Sequence, residues 1–309
     1  MSELDTAVTV IGGYLGAGKT TLLNHILRTA DERIAVLVND FGDINIDEDL
    51  IASQDGDTIS LANGCICCSL IDGFSSALAT IRAIEPQPQR LVIESSGVAD
   101  PATVAAYGHG PGLTLDATVV VVDAETIRTK SRDVYVGDTI IGQLRSGDIV
   151  VMNKVDLVND EDAQAIDEWL RETCPDAVLI GATNGVVDPT LLFGVVEAKP
   201  PSAGEPHDHK DDGHQHAESL FDSWSWSGAD PLSRSTVEAL MESMPAEVVR
   251  AKGLVLVDDE PDRIMVLQRV GRRWTLRPFG PRGEDAQTRL VVIGFHGAIS
   301  DDWLNGKLA

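Results

Sequence analysis

No run of eighteen consecutive apolar residues occurs in the chain, so no helix able to cross a bilayer is expected. The opening residues, MSELDTAVTVIGG, lack the basic stretch followed by an apolar segment that marks a secretory signal. Cations are scarce: 24 Lys and Arg stand against 49 Asp and Glu, a net charge of −25. A surface this acidic repels phosphate backbones, which argues against nucleic acid as a partner. Keeping the chain in solution is a sufficient role for it. Cysteine is scarce too. Of the four, three fall within four positions as Cys65, Cys67 and Cys68, a spacing that no disulfide framework uses. A bridge between Cys67 and Cys68 would be strained, and a cytoplasmic location would keep these thiols reduced.

The 309 residues suffice for about two domains, and 43% hydrophobic content is ordinary for a packed core. Apolar runs at Ala7–Ile11, Ile34–Val38, Leu91–Ile93, Ala117–Val122, Ile149–Met152 and Val178–Ile180 read as strands. Amphipathic stretches at Lys19–Thr29, Thr139–Leu144 and Glu161–Glu172 read as helices between them. This alternation predicts a mostly parallel sheet covered on both faces over residues 1–197. The segment 198–217 is rich in Pro, Gly, charge and histidine, has no periodicity, and reads as a flexible linker. Residues 218–309 restart with alternation at Phe221, Trp224 and Trp226, a helix near Ser233–Ser243, and strands at Leu254–Val257, Ile264–Gln268 and Leu290–Ile293. They predict a smaller α+β domain built on an antiparallel sheet.

Gly13-Tyr14-Leu15-Gly16-Ala17-Gly18-Lys19-Thr20 fits G-x-x-x-x-G-K-[ST], between a strand and a helix, which is the context this phosphate loop requires. Its glycines let successive N–H groups turn toward phosphate oxygens, and the following helix, with Thr21 in its first turn, adds a positive dipole end. Lys19 is expected at the β- and γ-phosphates and Thr20 on Mg²⁺. The fold class is therefore α/β, a P-loop NTPase domain followed by the α+β domain. Asn153-Lys154-Val155-Asp156 follows a late strand. A carboxylate there can accept from both guanine N1–H and the 2-amino group, a donor pair that adenine lacks, so GTP is expected over ATP. Ala182-Thr183-Asn184 is placed to touch the base edge. Glu94 ends an apolar strand and can hold Mg²⁺ directly or through water, and Gly97 lets the backbone swing toward a γ-phosphate.

Three clustered thiolates at Cys65, Cys67 and Cys68 suit Zn²⁺, Cu⁺ or another thiophilic ion and leave a fourth position open for exchange. Taken alone they also fit small buried apolar side chains, the reading adopted for the isolated Cys174. His207, His209, His214 and His216 form two H-x-H pairs able to chelate metal weakly, or an incidental part of a polar linker.

The chain resembles the CobW-like subgroup of the G3E P-loop GTPases, relatives of the hydrogenase and urease nickel-insertion GTPases. The resemblance rests on GYLGAGKTTLLNHIL at 13–27, NDFGDINID at 39–47, NGCICC at 63–68, ESSGVADP at 94–101 and NKVDL at 153–157. In the C-terminal half it rests on RAKGLVLVDD at 250–259 and RLVVIGFHG at 289–297. It implies a GTPase of slow basal turnover, with Zn²⁺ and sometimes Co²⁺ or Ni²⁺ at the cysteine motif, acting as a metallochaperone or metal-enzyme activator. The partners it implies are GTP and the apo form of a client metalloprotein, and it leaves room for a homodimer. Where the family usually has glutamates in its NEFGE segment, this chain has Asp40 and Asp43, each one methylene shorter. Asp43 and Glu94 are the candidates to orient the hydrolytic water. Two other readings fit the residues less well: a GTP- and metal-dependent sensor that transfers nothing, and a P-loop small-molecule kinase.

Overall fold

The computed structural model describes residues 5–30, 32–38, 78, 81, 83–194, 221–283 and 285–308. The chain divides into two compact units, Met1–Phe193 and Gly194–Ala309. In the first, six strands form one sheet: β1 (Thr6–Gly12), β2 (Ile34–Val38), β3 (Arg90–Glu94), β4 (Leu113–Asp123), β5 (Ile149–Asn153) and β6 (Val178–Ala182). Their order is β2-β3-β1-β4-β5-β6 and every pairing is parallel. β1 is central, so the loop that leaves its C-terminal end lies between the ends of β3 and β4. Strands β2, β3 and β5 are buried at every position, which explains the apolar runs at their centres.

Helix α1 (Lys19–Thr29) follows β1 and buries Leu22, Leu23 and Ile26. α2 (Pro101–Ala105) starts on Asp100, whose carboxylate accepts from the Ala102 amide, with Pro101 pre-set for the first turn. α3 (Ile127–Lys130) and α4 (Gly137–Arg145) lie between β4 and β5. α5 (Asp160–Thr173) is capped by Asn159, which accepts from the Asp162 amide at 2.9 Å. Three acids in its first turn complement the helix dipole. Its Ile166 and Leu170 pack with Ile140 and Leu144 of α4 on Val120, Val122, Val150 and Met152 of the sheet. α6 (Pro189–Phe193) closes the unit.

The second unit is a five-stranded antiparallel sheet of β7 (Phe221–Gly228), β8 (Val248–Val255), β9 (Arg263–Val270), β10 (Arg273–Pro281) and β11 (Thr288–Phe295), in the order β10-β9-β8-β11-β7. Helices α7 (Arg234–Ser243) and α8 (Asp301–Leu308) join Val248, Ala251, Leu267, Leu290 and Val292 in its core, with Trp224 and Trp226 packed against it.

Two differences from the sequence reading have physical causes. The strand expected at Leu254–Val257 is displaced: β8 starts at Val248 and ends at Val255, because the charged stretch Arg250–Lys252 is paired on both sides, with β9 and β11. Val257 leaves the ladder and bridges Leu232 instead. β10 was not anticipated, since its apolar Trp274 and Leu276 alternate with arginines and it carries Pro278 and Pro281. It is an edge strand, where proline costs no ladder bond.

Candidate nucleotide site

The loop 13–18 leaves β1 and opens α1. Gly13 and Gly18 have φ of 130° and 101°, which side-chain-bearing residues rarely adopt. A Cβ on Gly13 would overlap the Val121 carbonyl oxygen, and one on Gly18 would overlap the Asn153 side-chain amide. The N-cap of α1 is Gly18, which has no side chain to cap the helix. The first-turn amides, which include those of Lys19, Thr20 and Thr21, thus keep the dipole end that attracts anions. Lys19 is 8% exposed, and its Nζ donates to the Gly13 carbonyl at 3.0 Å, curling over the loop it follows.

Glu94 ends β3 opposite Ile11 of β1 and is 2% exposed. It accepts from the Thr20 hydroxyl at 2.9 Å. A hydroxyl and a carboxylate side by side are hard oxygen donors that fit Mg²⁺. Just beyond lies Gly97, where an added Cβ would sit 2.6 Å from Leu15 Cδ2 and 2.8 Å from the Leu15 amide nitrogen. Only glycine lets this segment lie so close to the phosphate loop. Gly12 is held from the same side, since its Cβ would overlap Pro101.

The third strand end is β5. Asn153 is 2% exposed; its amide donates to the Ala17 carbonyl at 3.0 Å, and its oxygen accepts from the Gly185 amide at 2.9 Å. One side chain therefore ties the phosphate loop to the segment after β6. Gly185 (φ 66°) leans on the start of α1, where its Cβ would come within 2.7 Å of the Leu22 nitrogen. Lys154 takes a left-handed φ of 62° and reaches the Gly16 carbonyl at 2.9 Å and Asp123 Oδ2 at 2.8 Å. Burial works to raise the Asp123 pKa, yet the hydrogen bond and charge of Lys154, with the Glu125 amide, hold the carboxyl below its ordinary value. Asp156 lies exposed on the 3₁₀ turn Val155–Leu157, and Thr183 and Asn184 are exposed beyond β6.

Lys19, Thr20, Glu94, Gly97, Asn153 and Lys154 thus sit on the loops leaving β1, β3 and β5, at one edge of one sheet. Asp40, Asp43, Cys65, Cys67, Cys68 and the histidines of 207–216 lie outside the described residues. Among the described residues, no group of three or more His, Cys, Asp or Glu could hold a metal ion, and no helix is long and apolar enough to cross a membrane. Cys174 is buried, its Sγ donates to the Leu170 carbonyl at 3.0 Å, and burial pushes its thiol up to about 11.

Sequence reasoning missed two side chains. Asp123 ends β4 as Glu94 ends β3, the same signal of an acid after an apolar strand. Gln143 shares the buried face of α4 with Ile140 and Leu144, so a lone polar residue in an apolar stripe was the available clue.

A parallel sheet with a glycine-rich loop between its central strand and the first helix is a P-loop NTPase. The chain belongs to the CobW/HypB/UreG family: residues 7–180 match its nucleotide-binding domain, and residues 221–306 match the cobalamin synthesis protein cobW C-terminal domain. It is similar to the zinc chaperone CobW of Sinorhizobium sp, 32% identical over 93% of this chain and 92% of that one. It is also similar to the zinc chaperone YjiA of Escherichia coli K12, 30% identical over 93% of each. The crystal structure of the Zn(II)-bound YjiA GTPase from E. coli covers 94% of both chains at 25% identity, with a TM-score of 0.47.

Proposed function

We propose that this chain is a cytoplasmic GTPase that binds zinc, or a similar transition metal, through Cys65, Cys67 and Cys68 and delivers it to the apo form of a client metalloprotein. Residues 1–197 form the GTPase domain, 198–217 a histidine-bearing linker, and 218–309 the CobW-like C-terminal domain. The observation that carries the nucleotide half is Asn153, which joins the phosphate loop at Ala17 to the loop at Gly185. With the base-side turn holding Lys154 and Asp156 fixed against the phosphate loop, one ligand can be read at both ends. The metal half rests on the cysteine spacing and on relatives named zinc chaperones.

Hydrolysis on this reading is positioning and charge neutralisation. Lys19 exchanges the Gly13 carbonyl for the β- and γ-phosphates. The Thr20 hydroxyl and Glu94, directly or through water, would hold Mg²⁺, which would supply Lewis-acid neutralisation of phosphate charge there. Lys154 flanks the base while Asp156 accepts from guanine. Asp43 and Glu94 are the candidates to orient water. Because metal and nucleotide act on one molecule, their coupling is reciprocal.

The test measures GTP against ATP hydrolysis, and zinc affinity with and without a non-hydrolysable GTP analogue, in wild type and in a Cys65, Cys67 and Cys68 to Ser variant. Guanine preference, tight zinc binding lost in the variant, and nucleotide-dependent zinc affinity in wild type are expected. Zinc affinity identical in both nucleotide states removes the switch and with it the chaperone mechanism.

A further inference from the structure

Gln143 is nearly sealed from solvent, at 2% exposed, in the last turn of α4. Its side-chain nitrogen donates to the Gly97 carbonyl at 3.1 Å and to the Ala99 carbonyl at 2.8 Å. Both amide hydrogens are therefore spent on the segment that follows Glu94. That segment is also closed on itself, with the Ala99 amide donating to the Ser96 carbonyl at 3.0 Å. On its other side, Gly97 lies against Leu15 of the phosphate loop. Gln143, Tyr14, Leu15, Asp123 and Lys130 line one cleft beside that loop.

We propose that Gln143 is a positioning residue for the γ-phosphate-facing segment Ser95–Ala99, holding it in place before nucleotide arrives. The inference rests on the GTPase reading above. A peptide whose carbonyl is tied cannot rotate freely, because its C=O and the following N–H share one plane. The two ties thus fix the direction of the Val98 and Asp100 amides, on either side of Ala99. Segments of this kind lose conformational entropy when a phosphate orders them. A side chain that orders the segment beforehand lowers that cost for GTP. It does nothing for GDP, which offers this segment no γ-phosphate. Gln143 also sits on the helix that leads into β5 and Asn153, so the phosphate sensor hangs from the element that carries the base-side turn.

The variant is Gln143→Met, an unbranched chain of similar length with no donor. Three quantities are measured beside wild type: affinity for a non-hydrolysable GTP analogue and for GDP, GTP turnover, and melting temperature with GDP bound. The expected result is GDP affinity within about twofold, the ratio of GTP-analogue to GDP affinity lowered about tenfold, and turnover lowered at least as much, the scale of one or two lost buried hydrogen bonds. A purely structural role would lower the melting temperature and weaken both nucleotides alike; that pattern, or an unchanged ratio, overturns the proposal. If Gln143→Met does not fold, amide hydrogen exchange in the wild type decides. Slow exchange at Ala99 with GDP bound supports a segment held in advance, and fast exchange that slows only with the GTP analogue overturns it. The binding arm does not need catalysis. A wild type that discriminates the two nucleotides through Gln143 yet hydrolyses no GTP refutes the GTPase reading and leaves this proposal standing. Turnover in wild type with an indifferent Gln143 does the reverse.

Discussion

Replacing Asn153 with alanine is expected to loosen the phosphate loop and the base-side loop together. The side chain makes two buried hydrogen bonds, to the Ala17 carbonyl at 3.0 Å and from the Gly185 amide at 2.9 Å. Ala17 is 3% exposed and Gly185 is buried, so water does not easily replace the lost partner. A buried group left unmade costs about 1–3 kcal/mol, which for two groups gives about 2–6 kcal/mol before any relaxation. Relaxation of the exposed neighbours at Asn184 and Val186 brings the expected loss to the low end, about 2–3 kcal/mol. In urea, with a slope of about 2–3 kcal/mol/M for a unit of this size, the midpoint should fall by about 1 M. Only the first unit should move; the antiparallel unit, followed through its tryptophans Trp224, Trp226, Trp274 and Trp303, serves as an internal control. Nucleotide binding should weaken by similar factors for GTP and GDP, because neither bond lies at the γ-phosphate. An unmoved midpoint, or loss of GTP with GDP untouched, refutes the clamp.

Asp156→Asn is expected to exchange guanine preference for xanthine, since the amide presents a donor where the carboxylate accepted; a competition assay with GTP unaffected removes Asp156 from the base site. Arg90→Met should destabilise the first unit by about 3–5 kcal/mol, because it takes a buried guanidinium away from the carboxylates of Asp116 and Glu32. Arg90 is 1% exposed, bonds Glu32 at 2.9 Å, Asp116 at 2.5 Å, Thr9 at 3.1 Å and the Phe193 carbonyl at 3.1 Å, and stacks 4.3 Å from the Phe193 ring. Calorimetry showing a change under 1 kcal/mol, a value far outside that range, would refute it. Native-state thiol titration at pH 7 should read the same fast-reacting count in wild type and Cys174→Ala, because burial holds the Cys174 pKa near 11 and leaves almost no thiolate; a lower count in the variant would show that Cys174 is open.

The parallel sheet was legible because β2, β3 and β5 are buried on both faces, so their polar residues, Arg90, Glu94 and Asn153, fall only at strand ends and leave the apolar runs unbroken. The order of those strands was not, since nothing local in Ile34–Val38 or Arg90–Glu94 says which of them lies against β1. The glycine loop could be read because φ near 130° at Gly13 and 101° at Gly18 restricts residue choice at fixed spacing. β10 hid because an edge strand tolerates the arginines and prolines that a central strand excludes. Gln143 and Asp123 each left a local sign, but not one that names their partners. Those partners, Gly97, Ala99 and Lys154, are distant in sequence, and a glutamine that donates to backbone carbonyls gives no sign of which carbonyls they are.

The contacts around the phosphate loop share one physical feature: side chains hold its carbonyls. Lys19 takes that of Gly13, Lys154 that of Gly16 and Asn153 that of Ala17. In a planar trans peptide the following N–H points away from the bound carbonyl. Holding the carbonyls of Gly13 and Ala17 therefore turns the amides of Tyr14 and Gly18 away from the side chains that hold them. Gln143 does the same to the carbonyls of Gly97 and Ala99 on the segment opposite. Donor direction is thus set in advance by cations and amides drawn from α1, α4 and β5, so an incoming phosphate has less backbone to order. Of these holders Lys19 is the one expected to reach the β- and γ-phosphates, because an ammonium gains from a charged acceptor and the other ammonium, Lys154, is already paired with Asp123 at 2.8 Å. The others lose their bonds if they move, and that asymmetry is what allows one lysine to respond to nucleotide while the frame around it stays fixed.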